Sequence, residues 1–171
     1  NENGTEDHDE YPDASVSAPQ AQFNIWNTIA EGPVFVVGRV PNYLELSPGE
    51  SAELTIEVVN LGRSAGSMVV TESLPAGVSA SDFSITPTTE ERHSDGSTSY
   101  TWSDKVLASV DDTNVSAPTD YATVQISYTL TWDTPACGMR LTGAAPTVDW
   151  ADVHARSHTS SGTELVLACC P

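Results

Sequence analysis

From Asp120 to Trp132 apolar and polar side chains alternate. Val124, Ile126, Tyr128, Leu130 and Trp132 fall on one side, and Thr123, Gln125, Ser127, Thr129 and Thr131 on the other. Only an extended strand puts every second residue on the same face, so this segment must lie in a sheet with one buried face and one wet face. The buried face needs an apolar partner, which one strand cannot provide. The run from Pro48 to Val78 follows the same logic. Pro48-Gly49 makes a turn. Leu54, Ile56 and Val58 then alternate with Glu53, Thr55 and Glu57, and Asn60-Leu61-Gly62 ends that strand. Ser67 to Glu72 returns as a second strand, and Leu74-Pro75-Ala76-Gly77-Val78 forms a stiff corner, because Pro fixes φ and Gly accepts positive φ.

The rest of the chain has the same character. Val34 to Val37 is an unbroken apolar run, expected to be a strand covered on both faces. Short strands are also expected at Tyr43 to Leu46, Ser81 to Thr86, Ser97 to Ser103, Lys105 to Val110, Met139 to Leu141, Thr147 to Val153 and Thr163 to Ala168. Pro87 to Gly96 reads as a polar turn region, and Ser160-Ser161-Gly162 as the tip of the last hairpin. No window sustains a helical period. Short strands with Pro, Gly and Asn between them predict an all-β chain built as an Ig-like β-sandwich. Residues 34–171 read as that sandwich, and residues 1–33 as an acidic N-terminal extension. Within the extension, Gln22 to Ile29 has strand-like alternation and is a candidate donor strand.

Charge restricts the partners. Of 171 residues, 24 are acidic and six basic, for a net charge of −18. Such a surface repels phosphate, which argues against nucleic acid and anionic membranes as ligands. No apolar run reaches the roughly 20 residues that a membrane-spanning helix needs. The first residue, Asn1, reads as that of a processed, exported product. The sequons at Asn3 and Asn114 fit glycosylation outside the cell. Among Cys137, Cys169 and Cys170, a bridge from Cys137 to Cys169 or Cys170 is expected in an oxidising compartment. It would close a loop whose restraint of the unfolded chain is worth on the order of 3–4 kcal/mol. A bond between the adjacent Cys169 and Cys170 is the strained alternative.

No pattern of catalytic residues emerges. His154 and His158 are four apart, but in strand-and-turn sequence that spacing does not build a metal face, and no nucleophile-elbow motif occurs. The chain is therefore read as a non-enzyme without a cofactor. Calcium is the one ion with candidate clusters: Glu6, Asp7, Asp9 and Glu10; Asp111, Asp112 and Asp120; Asp149 with Asp152. None has the spacing of a calcium loop. Trp102 and Trp132 lie on alternating apolar faces and are expected in the core. Trp26 belongs to the extension and is an interface candidate.

The Pro48-Gly49-Glu50 turn, the Leu54 to Val58 strand, Asn60-Leu61-Gly62, the run Glu72 to Val78 and the Tyr100-Thr101-Trp102 strand together resemble the Ig-like repeat domain of bacterial and archaeal cell-surface proteins. That family usually has Asp where Glu72 stands, and the cysteine-bearing end is not one of its features. The resemblance implies an extracellular building block or spacer. A single copy preceded by an extension suggests a subunit that polymerises with copies of itself. In this reading, Phe23, Ile25, Trp26 and Ile29 enter a neighbour by strand addition, giving a secreted or cell-surface filament. The alternative is an adhesion module for a carbohydrate or protein ligand.

Overall fold

The computed structural model describes residues 32–107, 122–133, 135–136 and 138–169. The extension segment Gln22 to Ile29, with Phe23, Ile25, Trp26 and Ile29, lies outside them. Among the described residues there are twelve strands and no helix. They are β1 (Phe35–Val40), β2 (Tyr43–Leu46), β3 (Ser51–Asn60), β4 (Gly66–Leu74), β5 (Val78–Ser81), β6 (Thr89–Arg92), β7 (Thr98–Leu107), β8 (Ala122–Trp132), β9 (Arg140–Gly143), β10 (Thr147–Ala151), β11 (Ser157–Ser161) and β12 (Leu165–Cys169).

The strands form three sheets. The first has the order β1-β3-β8-β5, the second β11-β10-β4-β7-β6, and the third β2-β12-β9. The first two make the sandwich. The alternating segment expected from sequence is β8, paired with β3 along ten residues from Ser51↔Thr131 to Asn60↔Ala122. Its apolar face, with Ile126, Tyr128, Leu130 and Trp132, joins Phe35, Leu54, Ile56 and Val58 against Met68, Val70, Leu74, Trp102 and Val148 of the second sheet. Trp102 and Trp132 are both core residues, as their pattern implied. The outer faces carry hydroxyl pairs across strands: Thr55 with Ser127 at 2.9 Å, Ser51 with Thr131 at 2.9 Å, and Ser73 with Ser99 at 3.0 Å. These explain the wet half of the alternation.

Several local expectations change. Val34 to Val37 is not covered on both faces. β1 alternates, with Phe35 and Val37 buried and Val36 38% exposed, because the outer face of its sheet is open to water. Lys105 to Leu107 is the end of β7 rather than a new strand. The region read as a polar turn contains β6, whose four residues are all exposed and pair with Thr98–Thr101. Its charges had hidden a strand that needs no apolar face. After β5, Asp82 to Thr88 crosses from the first sheet to the second. The Ser84 N–H donates to the Ser127 carbonyl at 2.8 Å and the Thr88 N–H to the Thr101 carbonyl at 2.7 Å. Phe83 packs beside Tyr100, Trp102 and Tyr128 and closes that side. The β10–β11 hairpin turns at Asp152 to Arg156, so Ser160-Ser161-Gly162 is not its tip. Instead Gly162 passes the chain to β12, which runs parallel to β2 and antiparallel to β9. That third sheet, with its parallel pair, has no signature in local pattern.

The Asn60-Leu61-Gly62 motif fixes where the chain enters the sandwich. The buried Asn60 side chain accepts from the Val34 N–H at 3.2 Å and the Gly62 N–H at 2.9 Å, and donates to the Ser64 carbonyl at 3.0 Å. The Leu61 N–H donates to the Val34 carbonyl at 2.8 Å. Gly32 to Val34 is thereby pressed onto the turn. A Cβ at Gly62 would collide with the Gly32 carbonyl and sit 2.6 Å from the Val34 nitrogen. At the opposite end, Gly77 takes φ +80° in the proline corner, and the Val78 N–H donates to the Pro75 carbonyl at 3.2 Å. Gly62→Ala should therefore cost about 1–3 kcal/mol through overpacking of backbone on backbone, measured as a lower urea midpoint at unchanged m-value.

Candidate functional site

Arg39 is on the inward side of β1, where an aliphatic residue would be expected. Its side chain is fully buried. Nη1 donates to Glu72 Oε1 at 2.5 Å, and Nη2 donates to the Ala144 and Thr163 carbonyls, both at 3.2 Å. One guanidinium thus joins the first sheet through β1, the second through Glu72 on β4, and the third through the chain flanking β9 and β12. Its planar fork of donors suits it to bind three partners at once, which a lysine could not do in the same geometry.

The Tyr128 hydroxyl lies close enough to feel both charges, yet its geometry falls short of a hydrogen bond. Among the described residues, Arg39 Nε, Glu72 Oε2 and Tyr128 Oη are buried without hydrogen-bond partners. Burial pushes the Glu72 carboxyl above its ordinary value, while Arg39 pulls it back. Burial also pushes the Tyr128 phenol up, reinforced by the Glu72 charge. The Arg39, Glu72 and Tyr128 side chains of this node are all buried in the core.

A second polar cluster lies in the β10–β11 turn. Asp152 Oδ1 accepts from the His154 and Arg156 N–H groups at 2.8 and 2.9 Å. Oδ2 meets Arg156 Nε at 2.9 Å and His158 Nε2 at 3.0 Å. The His158 hydrogen bond, followed by the Arg156 backbone bond, holds the Asp152 carboxyl well below the usual carboxylate range. His158 also stacks on Trp150 at 5.5 Å, and Trp150 meets the edge of Phe35. A shallow cleft of about 520 Å3 lies over this region, lined by residues that include Ser67, Val69, Asp149, Ala151, Ser157 and Thr159. Trp150 and His158 also line it, with the indole between the His158 ring and Phe35.

The other sequence candidates divide by location. Cys137, Cys170, Asn3 and Asn114 lie outside the described residues, as do the calcium candidates in the tail and at Asp111, Asp112 and Asp120. Cys169 is buried at the end of β12. Its N–H donates to the Met139 carbonyl at 2.9 Å, and its carbonyl accepts from the Gly138 N–H at 3.3 Å. Asp149 and Asp152 do not converge on an ion: Asp149 bonds Thr159, and Asp152 is saturated by the turn. Among the described residues no three His, Cys, Asp or Glu side chains are grouped to hold a metal, and no helix is long and apolar enough to cross a membrane. The Arg39 node was missed by sequence reasoning. Its available signal was a lone Arg at an inward position of a strand, together with Glu72 in register with apolar Val70 and Leu74.

No family model matches the chain, and no curated protein matches it in sequence. Among solved structures it is similar to BcpA, the major pilin subunit of Bacillus cereus. A point variant of that pilin aligns with a TM-score of 0.51 over 80% of this chain, and BcpA itself with 0.50 over 79%, each at 9% identity. The chain spans about 40% of the length of the pilin it matches. Likeness at this level shows a shared β-sandwich fold.

The buried pair generates a prediction with a sign. A carboxyl raised by burial holds its proton more tightly folded than unfolded. Its cost is therefore absent below the unfolded value of 4.5, grows as pH rises through the folded value, and is constant above it. Arg39→Met should cost about 3–5 kcal/mol at neutral pH by stranding the Glu72 charge. The variant's stability should fall more steeply than that of the parent as pH rises above 4.5. Adding Glu72→Leu should restore most of the loss, read from denaturant melts across pH.

Proposed function

We propose that this chain is a structural, non-enzymatic subunit of an extracellular filament or surface appendage, polymerising with copies of itself. The observation that carries the reading is the β-sandwich likeness to a major pilin subunit across four-fifths of the chain. The finer step is assembly by strand addition. Residues 14–30 carry no charge in a chain of net charge −18. They contain Phe23, Ile25, Trp26 and Ile29, which are suited to a neighbour's groove. Main-chain bonds would supply affinity and the side chains would set register. A bridge from Cys137 to Cys169 or Cys170 would fasten the terminal strand in an oxidising environment outside the cell.

Gly32 and Pro33 pack on Gly62 and Gly66 and belong to the body. A chain lacking residues 1–30 should therefore keep the sandwich and lose assembly. Negative-stain microscopy and sedimentation should show single subunits where the full chain shows fibres. Fibres formed by the shortened chain would rule out strand addition by the extension.

A further inference from the structure

Gly32 is held at one pole of the sandwich, beside the Asn60 turn and Val153. Register places Gly66 of β4, Leu107 of β7 and Ala122 of β8 at the same pole. A segment leaving there and binding the same pole of a second copy would form a two-fold exchange that closes as a dimer. An open filament needs donor and acceptor at different places on the subunit. The receiving edge should therefore lie toward the far pole.

The far pole has such an edge. β1 pairs with β3 only from Val40↔Thr55 to Phe35↔Asn60. At Pro41 the chain leaves the first sheet, and β2 pairs with β12 in the third. Ser51 to Leu54 of β3 pair with β8 on one side. Among the described residues no strand pairs with their other side. This notch continues the line that β1 abandons. Val40 borders it and is 68% exposed, and Tyr43 is 49% exposed. From Asn60 to Ser51 the strand covers roughly 30 Å at about 3.3 Å per residue, so the notch is well separated from the point where the extension begins.

We infer that this notch, the Ser51–Leu54 edge of β3 with Val40 beside it, is the acceptor for the uncharged residues 14–30 of a second copy. The inference rests on the filament reading and gives it a direction. Charge supports the choice of occupant. Glu53 lies in the edge, Glu50 immediately precedes it, and Glu45 is on β2. Acidic segments of a second copy would be repelled, whereas residues 14–30 bring no charge to it. By contrast, β6 offers an edge whose outer positions are Glu90, Glu91 and Arg92, the kind of charged margin that discourages pairing. Within the notch only Glu53 of the four residues is charged, and exposed, apolar Val40 borders it.

The test uses the full chain. Amide exchange at Ser51 to Glu53 is compared in dilute and assembled samples, alongside Val40→Arg and the control Val106→Arg, which alters a 71% exposed residue at the N-terminal pole. Protection should appear on assembly at those amides of the stretch that point away from β8. Val40→Arg should raise the concentration needed for assembly at least tenfold, and Val106→Arg should leave it unchanged. Protection already complete in dilute monomer would mean that the chain's own extension fills the edge, and the inference fails. Assembly that stops at a dimer, or that responds to Val106→Arg and not to Val40→Arg, also overturns it while leaving self-association intact. Absence of assembly at any concentration would instead remove the filament reading on which the inference stands.

Discussion

A single buried guanidinium connects all three sheets. Sandwiches are normally held by apolar contact between two faces, and this one has such a core. The third sheet joins that core through Leu46, Leu165, Leu167 and Cys169, and its attachment also includes Arg39 bonds to the Ala144 and Thr163 carbonyls. Glu72 neutralises the charge from the opposite layer. Burying two ions is expensive, and their mutual attraction recovers that cost only in good geometry. What apolar residues could not supply is direction. Arg39 fixes the position of β1 relative to two chain segments more than 100 residues away.

The remaining polar groups work locally. Asn60 turns a tripeptide into a clamp on the incoming chain, and Asp152 organises a hairpin turn through both of its oxygens. The hydroxyl pairs on the outer faces bind neighbouring strands without adding charge. In so acidic a chain that matters, because additional carboxylates facing one another across strands would be destabilising.

Much of this was legible in the sequence. The alternation in β3 and β8, the Pro-Gly punctuation, and the placement of Trp102 and Trp132 each follow from a period of two and from turn chemistry. What was not legible has physical causes. β6 has no apolar face and carries charges, so it reads as a turn although β7 recruits it. The third sheet depends on pairings between β2, β9 and β12, which are far apart in sequence and too short to have a period of their own. Arg39 sits in a segment that reads as apolar and extended, and nothing local reveals that its partners are Glu72 and two distant carbonyls. The apolar run before it suggested a strand covered on both faces, whereas the open outer face of the sandwich leaves Val36 partly exposed.

The burial of Arg39 has a consequence for proteolysis. Enzymes that cut after basic residues find only six candidate sites in this chain. Arg39 is closed to them while the layers stay together, since cleavage needs an extended, accessible backbone. A cut there would separate residues 1–39, including most of β1, from the rest of the sandwich. Nicking at that bond would report the rare moments when the sheets part, and its rate would track their opening equilibrium. The interaction that joins the layers therefore also guards the peptide bond that keeps the N-terminal segment attached.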